Sequence, residues 1–96
     1  MKYKVLVRPE AETDLNEACR WYNQHSKGLG ASFLLSVDAA ISAIKRDPDM
    51  FPCIYQNVRR AVIRRFPYGV FYIINEEVIS LLAIFHAKRN PKKWMK

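Results

Sequence analysis

RRFPYGVFYIINEEVISLLAIFHAKRNPKKW, Arg64–Trp94, carries the reading on which the fold turns. Val70–Ile74 (VFYII) and Val78–Phe85 (VISLLAIF) are rich in β-branched and aromatic residues, and only Asn75-Glu76-Glu77 separates them. That spacing predicts a β-hairpin. The second strand is apolar at nearly every position, so both its faces should be covered and both its edges paired inside a sheet. The preceding strand takes one edge. The N-terminal run is the remaining candidate for the other. After Phe85 the composition flips within one residue to HAKRNPKKWMK, in which five of eleven residues are Lys or Arg.

Working outward, Lys2–Arg8 (KYKVLVR) alternates, with Tyr3, Val5 and Val7 on one side, and reads as a short strand. Pro9 suits the first turn of a helix, and Glu10, Glu12 and Asp14 follow where carboxylates favour the helix dipole. Ala11, Leu15, Ala18 and Tyr22 form one apolar stripe, with Trp21 sealing its edge. Asn23–Gly30 (NQHSKGLG) is a turn that exposes His25, and a second helix runs from about Ala31 to Lys45. Its stripe is Phe33, Val37, Ala40, Ile41 and Ile44, widened by Leu34, and Asp47-Pro48 ends it. Asp49–Asn57 reads as a loop held down by Phe51 and Ile54, and Val58–Phe66 (VRRAVIRRF) as a half-exposed strand. Pro67 and Gly69 bracket a tight connection to the next strand. The chain thus reads as one α+β domain over residues 1–96. Its order is β-α-α-β-β-β, with a helical hairpin packed on one face of a mainly antiparallel four-stranded sheet.

The net charge of +7 is not spread evenly. Residues 1–55 hold seven Lys/Arg and seven Asp/Glu, whereas residues 56–96 hold nine Lys/Arg against Glu76 and Glu77. Such segregation points to a polyanionic partner, nucleic acid or an acidic protein, ahead of a membrane. A solvated basic face that aids solubility is the plainer alternative. Cys19 and Cys53 lack metal-site spacing, and with two His the chain suggests neither zinc nor another metal or cofactor. Both read as reduced, partly buried thiols of a cytoplasmic protein. No signal peptide is visible, and no apolar run approaches the roughly 20 residues of a membrane span.

A strand end that delivers His86 and a basic cluster to one rim is a candidate site. Arg59, Arg60, Arg64 and Arg65 come from the same sheet, and Lys88, Arg89, Lys92 and Lys93 from the tail. These cations suit phosphates or an acidic surface, and Trp94 or Tyr68 a base or a partner's pocket. Metal-free phosphodiester cleavage needs a general base, a general acid and a cation at the transition state. His86 and Arg89 supply part of that set. Each also has a structural reading. His86 fits a strand-end histidine donating to a neighbouring carbonyl or carboxylate, Trp94 a plug on the sheet, and Tyr68 and Tyr72 cross-strand packing. Lys92, Lys93 and Lys96 fit a solvated terminus.

The residues Arg64, Phe66, Pro67, Tyr68 and Tyr72 (R-x-FPY-x-x-x-Y) and His86, Arg89, Pro91 and Trp94 (H-x-x-R-x-P-x-x-W), with RPEAETDLNEACRWY at the N-terminus, resemble the RelE/ParE superfamily of bacterial type II toxin–antitoxin toxins. The resemblance covers nearly the whole chain. It implies two activities on one fold: ribosome-dependent mRNA cleavage in RelE-like members and DNA gyrase poisoning in ParE-like ones. The tail lacks a tyrosine and the Val58–Phe66 strand lacks a lysine, which resembles ParE more closely. The first expectation is therefore a ParE-like gyrase inhibitor that is not an enzyme, with Arg59, Arg60, Arg65, Lys88, Lys92, Lys93 and Trp94 as its binding residues. The second is a metal-independent endoribonuclease acting on ribosome-bound mRNA through His86, Arg89 and Arg64. The third is a non-toxic corepressor. All three imply a cognate antitoxin with an acidic, disordered segment.

Overall fold

A computed structural model describes residues 3–88. Strand β1 (Lys4–Val7) leads into helix α1 (Pro9–His25), which α2 (Leu29–Arg46) follows. A short 3₁₀ turn (Pro48–Met50) then precedes β2 (Cys53–Tyr55), β3 (Val58–Val62), β4 (Tyr68–Asn75) and β5 (Val78–His86). Among the described residues the strands form one five-stranded sheet ordered β1-β5-β4-β3-β2. β1 runs parallel to β5 and the other pairs are antiparallel. The α+β class, the helical hairpin packed on a mainly antiparallel sheet and the inner position of β5 are as expected, but the sheet has five strands rather than four.

The apolar run of β5 has the burial it needs. Ile79, Leu81 and Ile84 lie in the core beneath the helices with Phe33, Val37, Ile44 and Tyr72. Ala83 lies on the opposite face in a second cluster with Val58 and Phe71, flanked by Leu82 and Phe85. A bulge between Phe71 and Tyr72 pairs them with Ala83 and Leu81, which leaves Leu82 as the extra residue of β5. Each fully buried Ile, Leu or Phe contributes about 1.5–3 kcal/mol relative to exposure.

Several boundaries differ from the sequence reading. β3 stops at Val62, so Arg64 and Arg65 sit in a turn rather than on a strand. The Ile63 N–H donates to Tyr68 O at 2.8 Å, closing that turn, and Arg65 takes a left-handed φ of 70° that a strand does not permit. Cys53–Tyr55, read as loop, forms a fifth, short edge strand on β3. Cys53 itself is exposed rather than partly buried. Gly69 belongs to β4 and not to the connection. Leu34 is 41% exposed, so it does not widen the buried stripe of α2, and Trp21 is 50% exposed. Val7, on the same side of β1 as Val5, is 52% exposed because β1 ends there and the chain departs into α1. His25 closes α1 instead of lying in the turn; its Nδ1 is 2.9 Å from Trp21 O and its ring stacks on the indole at 3.7 Å.

Two contacts lock the helices and the sheet together. The Gly30 N–H donates to Asn23 Oδ1 at 2.8 Å, and a Cβ on Gly30 would lie 2.6 Å from Asn23 and from the Cys19 carbonyl oxygen. Only glycine permits so close a helix crossing. The buried Tyr72 hydroxyl donates to Pro48 O at 2.7 Å, tying β4 to the segment that leaves α2.

Gly30→Ala should therefore destabilise the fold by about 1–3 kcal/mol through overpacking, measured by denaturant unfolding. Tyr72→Phe leaves a buried carbonyl without its donor and should cost about 1–3 kcal/mol. Burial pushes the Tyr72 hydroxyl up to about 12, opposed by the nearby Arg59 guanidinium and reinforced by Asp49. The folded chain thus holds this proton where the unfolded chain releases it. The resulting stability is intact below the ordinary value of 10.0 and is lost as pH rises toward about 12. The alkaline limb of a stability–pH profile should flatten in Tyr72→Phe.

Candidate functional site

The rim at the end of β5 is built by three segments: the last residues of β5, the 64–67 turn, and the middle of β3. The peptide of Ala87 is gripped on both sides. Its N–H donates to Pro67 O at 3.0 Å, and its carbonyl accepts from Arg60 Nη1 at 2.7 Å. Arg60 reaches Ala87 by crossing the outer face of β4 at Gly69, where a Cβ would lie 3.0 Å from Arg60 Cγ. The glycine is thus the slot through which β3 anchors the root of the basic tail. Arg60 Nε is buried and has no hydrogen-bond partner among the described residues.

His86 ends β5 on the helix side, exposed, opposite Tyr68 in the strand register with ring centroids 6.5 Å apart. Its Nδ1 accepts the Lys88 N–H at 3.2 Å, so the neutral ring carries its proton on Nε2. The ring opens into a cleft of about 480 Å³ that it shares with Asp14, Glu17, Trp21, Tyr22 and Tyr68. Burial, with Tyr68 as a second cause, pushes the Tyr22 hydroxyl up. Asp14 also completes the sheet: its Oδ2 accepts the Ile84 N–H at 3.1 Å, beyond the point where β1 stops pairing with β5. Asp14 and Glu17 were not singled out from the sequence as site residues. The signal was present, because residues 14, 17 and 21 share one helix face.

The four arginines of this region divide into two pairs. Arg59 turns inward to the carbonyls of Asp49 and Phe51 and lies 3.6 Å from the Asp49 carboxylate, clamping the segment before β2. Arg60 is committed to Ala87. Arg64 and Arg65 are exposed on the turn. They line a different depression, a groove of about 590 Å³ between α2 and β3. His86 and Arg64 are therefore not brought into one cavity. Lys88 is exposed at the rim, while Arg89, Lys92, Lys93 and Trp94 lie outside the described residues.

The remaining titratable candidates are scattered. Burial pushes the Cys19 thiol up, which keeps it protonated and unreactive. Among the described residues no three His, Cys, Asp or Glu side chains gather as a metal would require, and no helix is long and apolar enough to cross a membrane.

Comparison with known proteins converges on one family. The profile described as "ParE toxin of type II toxin-antitoxin system, parDE" matches residues 5–91. Toxin ParE2 of Mycobacterium tuberculosis, from two strains, is 30% identical over 92 residues, covering 95% of this chain and 88% of the relative. Among solved structures, the chromosomal ParDE system of P. aeruginosa superposes with a TM-score of 0.80 at 13% identity, over 91% of this chain and 98% of that one. The RelBE2 toxin–antitoxin complex of M. tuberculosis gives 0.62 at 18% identity, over 90% and 99%. The structural likenesses bear on the fold alone. Together with the near-complete profile match and the 30% identical relative, the chain belongs to the ParE toxin family of type II toxin–antitoxin systems.

Proposed function

We propose that the protein arrests growth by poisoning DNA gyrase through a protein–protein contact in the cytoplasm, and that a cognate antitoxin neutralises it. The observation that carries this reading is the separation of the groups a nuclease would need. His86 opens into an acidic and aromatic cleft against α1, Arg64 lines the groove against α2, and Arg59 and Arg60 are spent on backbone carbonyls. General base and cationic stabiliser have to meet at one reacting phosphate for acid–base cleavage to gain from both. A phosphodiester also enters a cleft bearing Asp14 and Glu17 against like charge. A binding surface has no such demand. It needs an anchored, accessible rim, and the doubly held Ala87 peptide with exposed Lys88 beside it supplies one. In this reading Arg65, Lys88, Lys92, Lys93 and Trp94 meet the target, while Arg60 holds the rim in place and Arg59 clamps the segment before β2.

One observation favours ribosome-dependent mRNA cleavage as a second reading. The fixed Nδ1 of His86 leaves Nε2 to exchange a proton at an exposed strand end, and Arg89 follows three residues later.

The purified chain is expected to inhibit supercoiling by gyrase on relaxed plasmid, with His86→Ala retaining most of that inhibition. Full supercoiling at a large molar excess of the chain would sink the proposal. In a parallel assay on translating ribosomes, message should stay intact. Codon-positioned cleavage that falls about a hundredfold or more in His86→Ala would instead establish the nuclease.

A further inference from the structure

We infer that the cleft between α1 and the end of β5 receives the guanidinium of an arginine side chain on the protein target; the inference rests on the binding role proposed above. Three observations point to that occupant.

The first is the charge of the cleft. It holds about 480 Å³, a volume in the range of ordinary ligand clefts, roughly 300–1,000 Å³. Asp14 and Glu17 line it, and none of the chain's 16 Lys and Arg is among the described residues of its wall. A chain with a net charge of +7 thus keeps one concave patch negative. A cation entering it gains from that field, whereas a phosphate or an acidic segment is repelled.

The second is the aromatic wall. Trp21 is 50% exposed where it lines the cleft. The His25 ring stacks on its indole at 3.7 Å, and Tyr22 meets it edge-on at 5.0 Å, so the ring is held in place before a partner arrives. Tyr68 contributes a further ring. Indole is the best aromatic face for a cation. The guanidinium is planar and weakly hydrated and stacks on such faces, whereas an ammonium gives up more hydration to do so. This selects arginine over lysine.

The third is an unused hydroxyl. Tyr22 is 8% exposed and lines the cleft, and no described residue hydrogen-bonds its hydroxyl. Tyr68, on the wall of the same cleft, lies close enough to oppose its ionisation, which places the hydroxyl on that side. Buried side-chain polar groups are almost always hydrogen-bonded, and a guanidinium brings five donors. The chain's own tail is also cationic, but its root is turned the other way. The Ala87 carbonyl is held by Arg60, which shares the sheet face of Val58 and Phe71, opposite the helices.

The test is a titration of the isotope-labelled full chain with N-acetyl-arginine amide, followed at the Trp21 indole N–H resonance. A saturable shift is expected. N-acetyl-citrulline amide, of similar size but uncharged, should give none. The double change Asp14→Asn with Glu17→Gln is expected to weaken binding about tenfold or more. Glu12→Gln removes a charge from α1 outside the cleft and should leave it unchanged. Asn at position 14 keeps an acceptor for the Ile84 N–H, and the melting temperature is measured alongside. If the pair lowers it, Glu17→Gln alone carries the comparison, with an expected loss of about threefold. No saturable shift, an equal response to citrulline, or variants within the error of the unsubstituted chain would overturn the inference. In the supercoiling assay the double variant should need about tenfold more protein for equal inhibition. If the unsubstituted chain binds the arginine probe but leaves gyrase untouched, the gyrase reading fails and the cleft stands. If it inhibits gyrase and the double variant inhibits equally, the cleft is refuted as part of that contact. Self-association lost in the double variant on sedimentation would assign the cleft to a second copy and also overturn the inference.

Discussion

β5 has apolar side chains on both faces, and water has to be excluded from each. That demand places the strand inside the sheet, with β4 on one edge and β1 on the other. The helical hairpin covers Ile79, Leu81 and Ile84, while Val58, Phe71, Phe85 and Ile73 give Ala83 and Leu82 a smaller cover on the far face. Because β1 is only four residues long, its pairing ends before β5 does. Asp14 supplies the missing acceptor for Ile84. An acidic side chain consequently lines the same cleft as His86, as a by-product of completing the sheet.

The same economy governs the arginines. A guanidinium offers five donors in a fixed fork, and main-chain carbonyls that leave regular structure need donors. Arg59 satisfies carbonyls before β2, and Arg60 satisfies Ala87 across the slot at Gly69. Both contribute to the formal charge without presenting a free cation to a partner. The charge that a partner meets on the described part of the rim is concentrated on Arg64, Arg65 and Lys88. A surface of this kind suits recognition by shape and a few ion pairs more than it suits the convergent chemistry of phosphodiester cleavage.

Periodicity made most of the architecture legible. The 3.6-residue stripes of α1 and α2, the short Asn75–Glu77 connection and the apolar run of Val78–Phe85 each correspond to an element in the structure. The failures have a common origin. Val58–Phe66 alternates as a strand throughout, yet the Ile63–Tyr68 bond and the left-handed Arg65 end it at Val62. Cys53–Tyr55 is too short to show a period and becomes a strand only because β3 offers it an edge. Gly69 looks like turn chemistry and is a packing slot, a role set by a side chain nine positions earlier. Leu34 and Leu35 continue the apolar character of α2, and local sequence does not reveal that the sheet ends before it can cover them.

The sequence by itself determined the hydrophobic partition, the segregation of positive charge into residues 56–96 and the motifs that resemble a toxin superfamily, because each is a property of neighbours along the chain. Tertiary structure alone decided which cations are committed to carbonyls, which carboxylates share the cleft of His86, and where apolar surface remains open beside Arg64 and Arg65. Those outcomes depend on hydrogen bonds spanning 10, 27 and 70 residues of sequence, whose geometry exists only once the strands are in register.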